Sequence, residues 1–159
     1  MLYFAYGSNM SRRQMVERCP GHHCLGKALL PGHALCFPRF STIRKCGVAG
    51  IEMKPGAQVW GVVYRLDESD LAALDRREGY DPGQPPHVNR YNRSRIRVLM
   101  NGDASQAVDC LTYLARAEPG THAPSAAYLR DIVEGAEENG LPPRYVAMLK
   151  AIRSPDAVQ

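Results

Sequence analysis

The sequence predicts an α+β domain: a small mixed, largely antiparallel β-barrel flanked by helices. The first two thirds of the chain contain six short strand-like segments, the last third contains two helix-like segments, and strand–helix–strand units are few. Strands that precede helices in this way are typical of α+β domains rather than of parallel α/β sheets. No repeat, low-complexity run or linker divides the chain, so we expect one domain over residues 1–159.

The strand-like segments are rich in apolar, β-branched and aromatic residues and are bounded by turn residues. They cover residues 2–5, 24–37, 48–53, 59–66, 91–100 and 108–115. Asn101-Gly102 lies between the last two segments, and this dipeptide favours a tight turn. We therefore expect these two strands to form an antiparallel hairpin.

Two helices are expected among the strands. Ser11 can cap a short helix that runs through Arg18. Ser69 can cap a second helix over residues 70–78, and Gly79 would stop it.

The last third of the chain predicts a helical hairpin. Pro124-Ser125 begins the first helix and Gly140 ends it, while Pro142-Pro143 begins the second. Apolar residues recur in both helices at the spacing of one buried face. They are Tyr128, Ile132 and Ala136 in the first helix and Tyr145, Met148, Leu149 and Ile152 in the second.

The composition is that of an ordinary globular protein, with 45% hydrophobic and 23% charged residues. No apolar stretch reaches the roughly 18 residues of a membrane span, and the N-terminus lacks a signal-peptide pattern. The five cysteines are odd in number and scattered, which favours free thiols in a reducing compartment. We therefore expect a cytoplasmic protein with no membrane partner.

The net charge of +4 is modest, and its most visible source is Arg90, Arg93, Arg95 and Arg97. The last three occupy alternate positions, which predicts the solvated face of a strand. A nucleic-acid interface would show a basic stripe with interleaved aromatic residues. No nucleic-acid partner is therefore expected.

The turn Tyr6-Gly7-Ser8-Asn9 is the first candidate site, because it lies between an apolar strand and the start of a helix. Glycine can adopt a positive φ, and successive N–H groups that enter a helix form a nest for a carboxylate or an oxyanion. An ordinary strand-to-helix turn has the same pattern, and the spacing alone leaves both interpretations open.

Glu78 is the second candidate. It follows Leu71 by seven positions and Leu74 by four, so the three side chains share one helix face. A carboxyl group buried there would have a raised pKa and could both accept and donate a proton near neutral pH. The alternative is a carboxylate that bends out to water at the helix end. Residues 75–77 leave this face and are expected in solvent.

The segment Cys19-Pro-Gly-His-His-Cys24 contains residue types that bind zinc. Structural zinc sites usually pair such a segment with a second one of similar spacing, and the sequence has none. No local signature places a base beside any cysteine to make it a nucleophile. We therefore expect no metal and no other cofactor.

Four segments resemble the γ-glutamylcyclotransferase family, which has an AIG2-like fold. Tyr3-Phe4-Ala5-Tyr6-Gly7-Ser8-Asn9-Met10 is similar to its N-terminal signature, and Leu74-Asp75-Arg76-Arg77-Glu78-Gly79 to the segment with its catalytic glutamate. Residues 58–64 resemble the strand before that helix, and residues 124–145 resemble the terminal helical pair. These segments occur in family order, so the resemblance covers nearly the whole chain.

The resemblance implies a reaction in which a γ-glutamyl group cyclises to 5-oxoproline and releases a free amino acid without a cofactor. It implies Glu78 as the acid/base, with backbone donors from Gly7, Ser8 and Asn9. Contacts to a small-molecule γ-glutamyl substrate are implied for Tyr3, Phe4, Ala5, Tyr6, Gly7, Ser8, Asn9 and Tyr128. Helical spacing with Ile132 places Tyr128 equally well in the core, and a homodimer is left open.

Residues 41–47 and 81–89 match the family pattern poorly. Loops of this kind rim the cavity and decide which substrate fits, so the sequence does not identify the leaving amine. Cyclotransferases that act on γ-glutamyl amines, γ-glutamyl-lysine or γ-glutamyl-protected small molecules are therefore alternatives. A non-catalytic γ-glutamyl-binding module and a nucleic-acid binder belong to other classes. An inward-facing carboxyl group at Glu78 argues against the binding module, which has no need of it.

Overall fold

Five strands form a closed barrel in the computed structural model, which describes residues 1–156. They are β1 (Leu2–Ala5), β2 (His23–Ser41), β3 (Cys46–Arg65), β4 (Tyr91–Met100) and β5 (Ala107–Ala115), in the spatial order β1-β3-β2-β4-β5. Neighbouring strands are antiparallel except β1 and β5, which pair in parallel with Tyr3 opposite Leu111. The predicted mixed, largely antiparallel barrel is confirmed. The last three residues of the expected domain 1–159 lie outside the described residues, and its extent stays a prediction.

Strands β2 and β3 form one long hairpin, so the prediction of separate strands at residues 48–53 and 59–66 is wrong. Pro31 lies opposite Gln58, but His33 lies opposite Met53. Residues 54–57 therefore bulge from β3, where they include the Pro-Gly pair that reads as a turn in the sequence. The bulge bends a continuous strand instead of ending it.

In the described part of the chain, four α-helices flank the barrel, and a short 3₁₀ helix (Ser8–Met10) joins β1 to the first of them. The α-helices are α1 (Arg12–Arg18), α2 (Glu68–Glu78), α3 (Ala126–Glu138) and α4 (Pro143–Lys150). Within residues 1–156, none of the helices has the length and apolar character needed to cross a membrane.

The helix ends follow the expected chemistry with one exception. The Ser11 side chain caps α1, and α2 ends at Gly79, whose φ of 69° is in the left-handed region that glycine adopts easily. The cap of α2 is Asp67 and not Ser69, because Asp67 Oδ1 accepts the Asp70 N–H at 2.7 Å. Ser69 lies within the helix and donates its hydroxyl to the same carboxylate.

The core fills the barrel and continues beneath α3. The predicted α3 stripe of Tyr128, Ile132 and Ala136 is buried, but Met148 of α4 is 40% exposed, so its place in the α4 stripe is wrong. Helix α3 packs closely on the 3₁₀ helix, because a Cβ on Gly135 would lie 2.6 Å from the backbone carbonyl carbon of Met10. The contact between Gly135 and Met10 therefore supports the 3₁₀ helix against α3.

Candidate active site

A cavity of about 490 Å³ lies where several elements of the barrel and its helices meet. Its wall is formed by the segment after β1, the tip of the β2–β3 hairpin, the last turn of α2, the start of β4 and the first turn of α3. The volume is in the range of small-molecule sites. Both segments 41–47 and 81–89 were expected to rim the cavity. Residues 41–44 of the first segment line the wall, whereas no residue of the second segment does.

The structure brings most of the expected site residues together around this cavity. Its wall includes Tyr3, Tyr6, Gly7, Ser8, Asn9, Glu78 and Tyr128. Phe4 and Ala5 are not among the lining residues, and the substrate contacts implied for them stay a prediction. Phe4 is fully buried, and its ring packs over Gly61, where an added Cβ would lie 2.7 Å from it.

Glu78 is held inside the cavity by Asn9. The Asn9 Nδ2 group donates to Glu78 Oε1 at 3.0 Å and to the Tyr3 hydroxyl at 2.9 Å. Arg18 donates to Asn9 Oδ1, so the carbonyl oxygen is also occupied. The Asn9 side chain is therefore committed to protein partners, and the residue positions Glu78 rather than offering its amide to a ligand.

The Glu78 carboxyl group turns inward and does not bend out to water. Burial raises its pKa above 4.5, and nearby Arg18 and the Asn9 hydrogen bond offset only part of this effect. Within residues 1–156, Glu78 is the single acidic residue of the cavity wall, and its Oε2 has no hydrogen-bond partner. One carboxyl oxygen is thus fixed and the other is free to meet a ligand.

Gly7 does not adopt the positive φ expected from the sequence, since its φ is −115°. The reason for glycine here is space: a Cβ would lie 3.2 Å from Ala49 Cβ and 3.6 Å from the Tyr128 hydroxyl. The 3₁₀ helix starts directly after it, and the first N–H groups of a helix have no acceptor within that helix. The amides of Ser8 and Asn9 begin this turn, at the cavity wall.

Tyr128 serves both the core and the cavity. Its hydroxyl accepts the Ala49 N–H at 2.8 Å, and its ring packs under the Arg44 guanidinium at 4.8 Å. Burial raises the pKa of the Tyr128 phenol, so the hydroxyl keeps its proton. The hydroxyl can therefore donate a hydrogen bond to a ligand in the cavity while it accepts the hydrogen bond from the Ala49 N–H.

Among the residues that the structure describes, six arginines line the cavity, and the sequence interpretation assigned none of them to the site. They are Arg18, Arg39, Arg44, Arg76, Arg77 and Arg90. The expectation that residues 76 and 77 belong only to solvent is incomplete, because both are exposed yet form part of the wall. Their position directly before Glu78 was a usable signal. Arg39 and Arg44 come from the β2–β3 hairpin, and nothing local in the sequence places them there.

Asp75 was also expected in solvent and is instead partly buried. Its carboxylate accepts the Tyr113 hydroxyl at 2.6 Å and Arg93 Nη1 at 2.8 Å. Because of this contact Arg93 is partly buried, although it was expected on the solvated face of β4. Arg95 and Arg97 are exposed, as expected. Asp75 thus ties α2, which ends in Glu78, to the barrel strands β4 and β5.

The Cys19–Cys24 segment lies apart from the cavity wall. All five cysteines are free thiols, with Cys19 buried and Cys24 exposed. Among residues 1–156, no three His, Cys, Asp or Glu side chains come close enough to hold a metal ion.

The cavity therefore combines a partly buried carboxyl group of raised pKa with the first backbone amides of a 3₁₀ helix. Enzymes that transfer protons at a polarised carbonyl group use groups of these two kinds. Residues 58–149 match the AIG2-like family. The γ-glutamylcyclotransferase of Mus musculus is 35% identical over 155 residues, which cover 95% of this chain and 78% of the mouse protein. The human γ-glutamylcyclotransferase is 35% identical over 159 residues, covering 98% of this chain and 80% of that protein.

A solved structure of a γ-glutamyl cyclotransferase superposes with a TM-score of 0.86 at 32% identity, covering 100% of this chain and 91% of that one. The chain belongs to the γ-glutamylcyclotransferase family.

Proposed function

We propose that this enzyme cyclises the γ-glutamyl group of a γ-glutamyl amino acid or dipeptide to 5-oxoproline and releases the free amino acid. The observation that carries the proposal is Glu78, an inward-facing carboxyl group of raised pKa with one oxygen open to the cavity. Relatives named γ-glutamylcyclotransferase that align with nearly the whole chain support the same activity.

The proposed reaction is an intramolecular acyl transfer. The substrate's α-amine attacks its own γ-carbonyl carbon, the new C–N bond closes a five-membered lactam, and the bond to the leaving nitrogen breaks. Glu78 takes a proton from the attacking amine and gives a proton to the leaving nitrogen. One carboxyl group can serve both steps because its raised pKa keeps both protonation states accessible.

Negative charge develops on the γ-carbonyl oxygen during the attack. Backbone N–H groups of Ser8 and Asn9, with that of Gly7 beside them, are the donors that we assign to this oxygen. Donors of this kind contribute roughly 2.7–4 kcal/mol of transition-state stabilisation in other acyl-transfer enzymes. Because they belong to the backbone and α3 supports the turn through Gly135, they need little reorganisation during the reaction.

Cyclotransferases for γ-glutamyl amines, γ-glutamyl-lysine or γ-glutamyl-protected small molecules would use the same chemistry with another leaving group. A non-catalytic γ-glutamyl-binding module is disfavoured, because it would gain nothing from Glu78 held inward by Asn9. A cytoplasmic location and a homodimer stay predictions from the sequence.

The proposal is tested by incubating the purified protein with γ-glutamyl-amino acids, γ-glutamyl-lysine and a γ-glutamyl alkylamide and measuring 5-oxoproline by chromatography. We expect time-dependent 5-oxoproline and an equal amount of free amino acid from the γ-glutamyl-amino acids. Turnover of the alkylamide alone would move the enzyme to the alternative substrate class. No 5-oxoproline from any compound would contradict the proposed function.

A further inference from the structure

The cavity wall carries more positive charge than its own carboxylates balance. Of its six arginines, Arg39 pairs with Glu118 at 3.3 Å and Arg44 pairs with Asp131 at 3.4 Å. Across residues 1–156, the other four have no carboxylate within 4 Å. They are Arg18, Arg76, Arg77 and Arg90. Six guanidinium groups of the wall are thus set against one carboxyl group of the wall, Glu78, and two outside it, Glu118 and Asp131, of which Asp131 also pairs with Arg13.

These cations are close enough to influence one another. The positive charges of Arg77 and Arg44 contribute, after burial, to lowering the pKa of Arg18, and Glu78 offsets part of that effect. Like charges that converge on one cavity destabilise the empty protein, and an anion that enters relieves the repulsion. The geometry is that of a site built for an anionic ligand.

The unpaired arginines share the cavity wall with Glu78, and the charges of Arg18 and Arg90 are close enough to lower the pKa of its carboxyl group. Glu78 gives its proton to the leaving nitrogen, so that nitrogen must come within hydrogen-bond reach of Glu78. Arg76 and Arg77 directly precede Glu78 in the last turn of α2, and Arg90 Nη2 donates to the Arg77 carbonyl at 3.0 Å. A side chain on the leaving amino acid would therefore share the cavity with Arg77 and Arg90, which both line its wall.

A γ-glutamyl amino acid with a neutral side chain brings two carboxylates, one on the γ-glutamyl group and one on the leaving amino acid. The four arginines without a carboxylate partner can bind a third substrate carboxylate, because hydrogen bonds from a guanidinium group to a carboxylate are strong and directional. We propose that this enzyme prefers γ-glutamyl substrates whose leaving amino acid carries an additional carboxylate, which Arg77 and Arg90 bind. This inference rests on the proposed function and specifies its substrate.

The test compares γ-glutamyl-glutamate with γ-glutamyl-glutamine, which have nearly the same shape and differ by one negative charge. Release of the free amino acid and of 5-oxoproline is measured, with a blank of free glutamine in the same buffer to subtract its spontaneous cyclisation. We expect kcat/KM for γ-glutamyl-glutamate to be higher on the order of tenfold at low ionic strength. The ratio should shrink as salt is added, because salt screens exposed charges.

Arg77→Gln removes one of the proposed ligands, and Arg95→Gln is the matched control because Arg95 is exposed on β4 outside the cavity. Both variants lose one positive charge from the protein. We expect Arg77→Gln to lower the ratio of the two kcat/KM values at least about threefold and Arg95→Gln to leave it unchanged. A purely structural role of Arg77 at the C-terminus of α2 would lower stability without changing the ratio.

The outcomes separate this inference from the proposed function. Turnover of both dipeptides with equal kcat/KM, or an Arg77→Gln ratio equal to that of Arg95→Gln, would overturn the preference and leave the cyclotransferase activity intact. No product from either dipeptide would contradict both.

Discussion

Replacing Asn9 by alanine should impair catalysis by Glu78 while leaving the Glu78 side chain itself unchanged. The Asn9 amide makes three hydrogen bonds, to Glu78 at 3.0 Å, to Tyr3 at 2.9 Å and to Arg18. Bonds to charged groups are worth about 1.5–3 kcal/mol and neutral ones about 0.5–1.5 kcal/mol. Water in the cavity can replace part of this, so we expect the free energy of unfolding to fall by about 2–4 kcal/mol. A domain with a stability of about 5–15 kcal/mol stays folded.

The activity of Asn9→Ala should fall further than its stability suggests. Without Asn9 the carboxyl group of Glu78 loses its fixed orientation, and misplacement of a catalytic group by about 1 Å can lower the rate 10²-fold. The Asn9 hydrogen bond also lowers the pKa of Glu78, so its loss should raise that pKa further. Because the ionised form must accept the proton, the acidic limb of the kcat/KM–pH profile should move to higher pH.

Asn139→Ala is the control for the Asn9 experiment. Asn139, at the C-terminal end of α3, supports the same 3₁₀ helix by donating to the Met10 carbonyl at 2.9 Å, and it also donates to the Gly135 carbonyl at 2.8 Å. It lies outside the cavity wall. Its replacement should lower the free energy of unfolding but leave the pH profile unchanged. Folded Asn9→Ala with kcat/KM within about threefold of the wild type and an unmoved acidic limb would refute the positioning role.

Three further predictions follow from the site. Gly7→Ala should lower the free energy of unfolding by about 1–3 kcal/mol, because the new Cβ would lie 3.2 Å from Ala49 Cβ. It should also lower kcat/KM at least about tenfold, because it displaces the turn that carries the backbone donors. A destabilised protein with unchanged kinetics would show that the turn has only a structural role. Tyr128→Phe should destabilise the protein by about 1–3 kcal/mol, since the buried Ala49 N–H loses its acceptor, and denaturation that matches the wild type would contradict this. Glu78→Gln should be more stable than the wild type at neutral pH. Burial raises the pKa of Glu78 in the folded state above its value in the unfolded state. The wild type therefore loses stability as the pH rises between these two pKa values, whereas the glutamine variant does not. In denaturation curves the difference should disappear below about pH 4, where both states of the wild type are protonated, and a constant difference would count against the buried carboxyl.

Most of the individual strands and helices were predictable because their signals are local. Strand-forming segments, the Asn101-Gly102 turn and the proline and glycine residues around the terminal helices mark elements without knowledge of their partners. The single long strand β3 was not predictable, because Pro55-Gly56 reads as a turn and only pairing with β2 shows that the chain continues. Pairing across a sheet is non-local, and short-range patterns do not report it.

The candidate site divides in the same way. Glu78 could be found because Leu71 and Leu74 set the face of α2 on which it lies. The role of Asn9 and the cavity position of Arg44 depend on contacts between residues far apart in the chain, such as the 3.0 Å hydrogen bond from Asn9 to Glu78. The reason for glycine at position 7 also came from tertiary packing, since its φ of −115° is open to other residues.

The most direct test of the account is the turnover of Glu78→Gln, because glutamine keeps the shape of the side chain and cannot shuttle a proton. Wild type and variant would be mixed with excess γ-glutamyl amino acid, and 5-oxoproline would be measured over time together with substrate binding by calorimetry. We expect a folded variant that binds substrate with an affinity close to that of the wild type and forms no detectable 5-oxoproline. A kcat close to that of the wild type would contradict the assignment of Glu78 as the proton-transfer group.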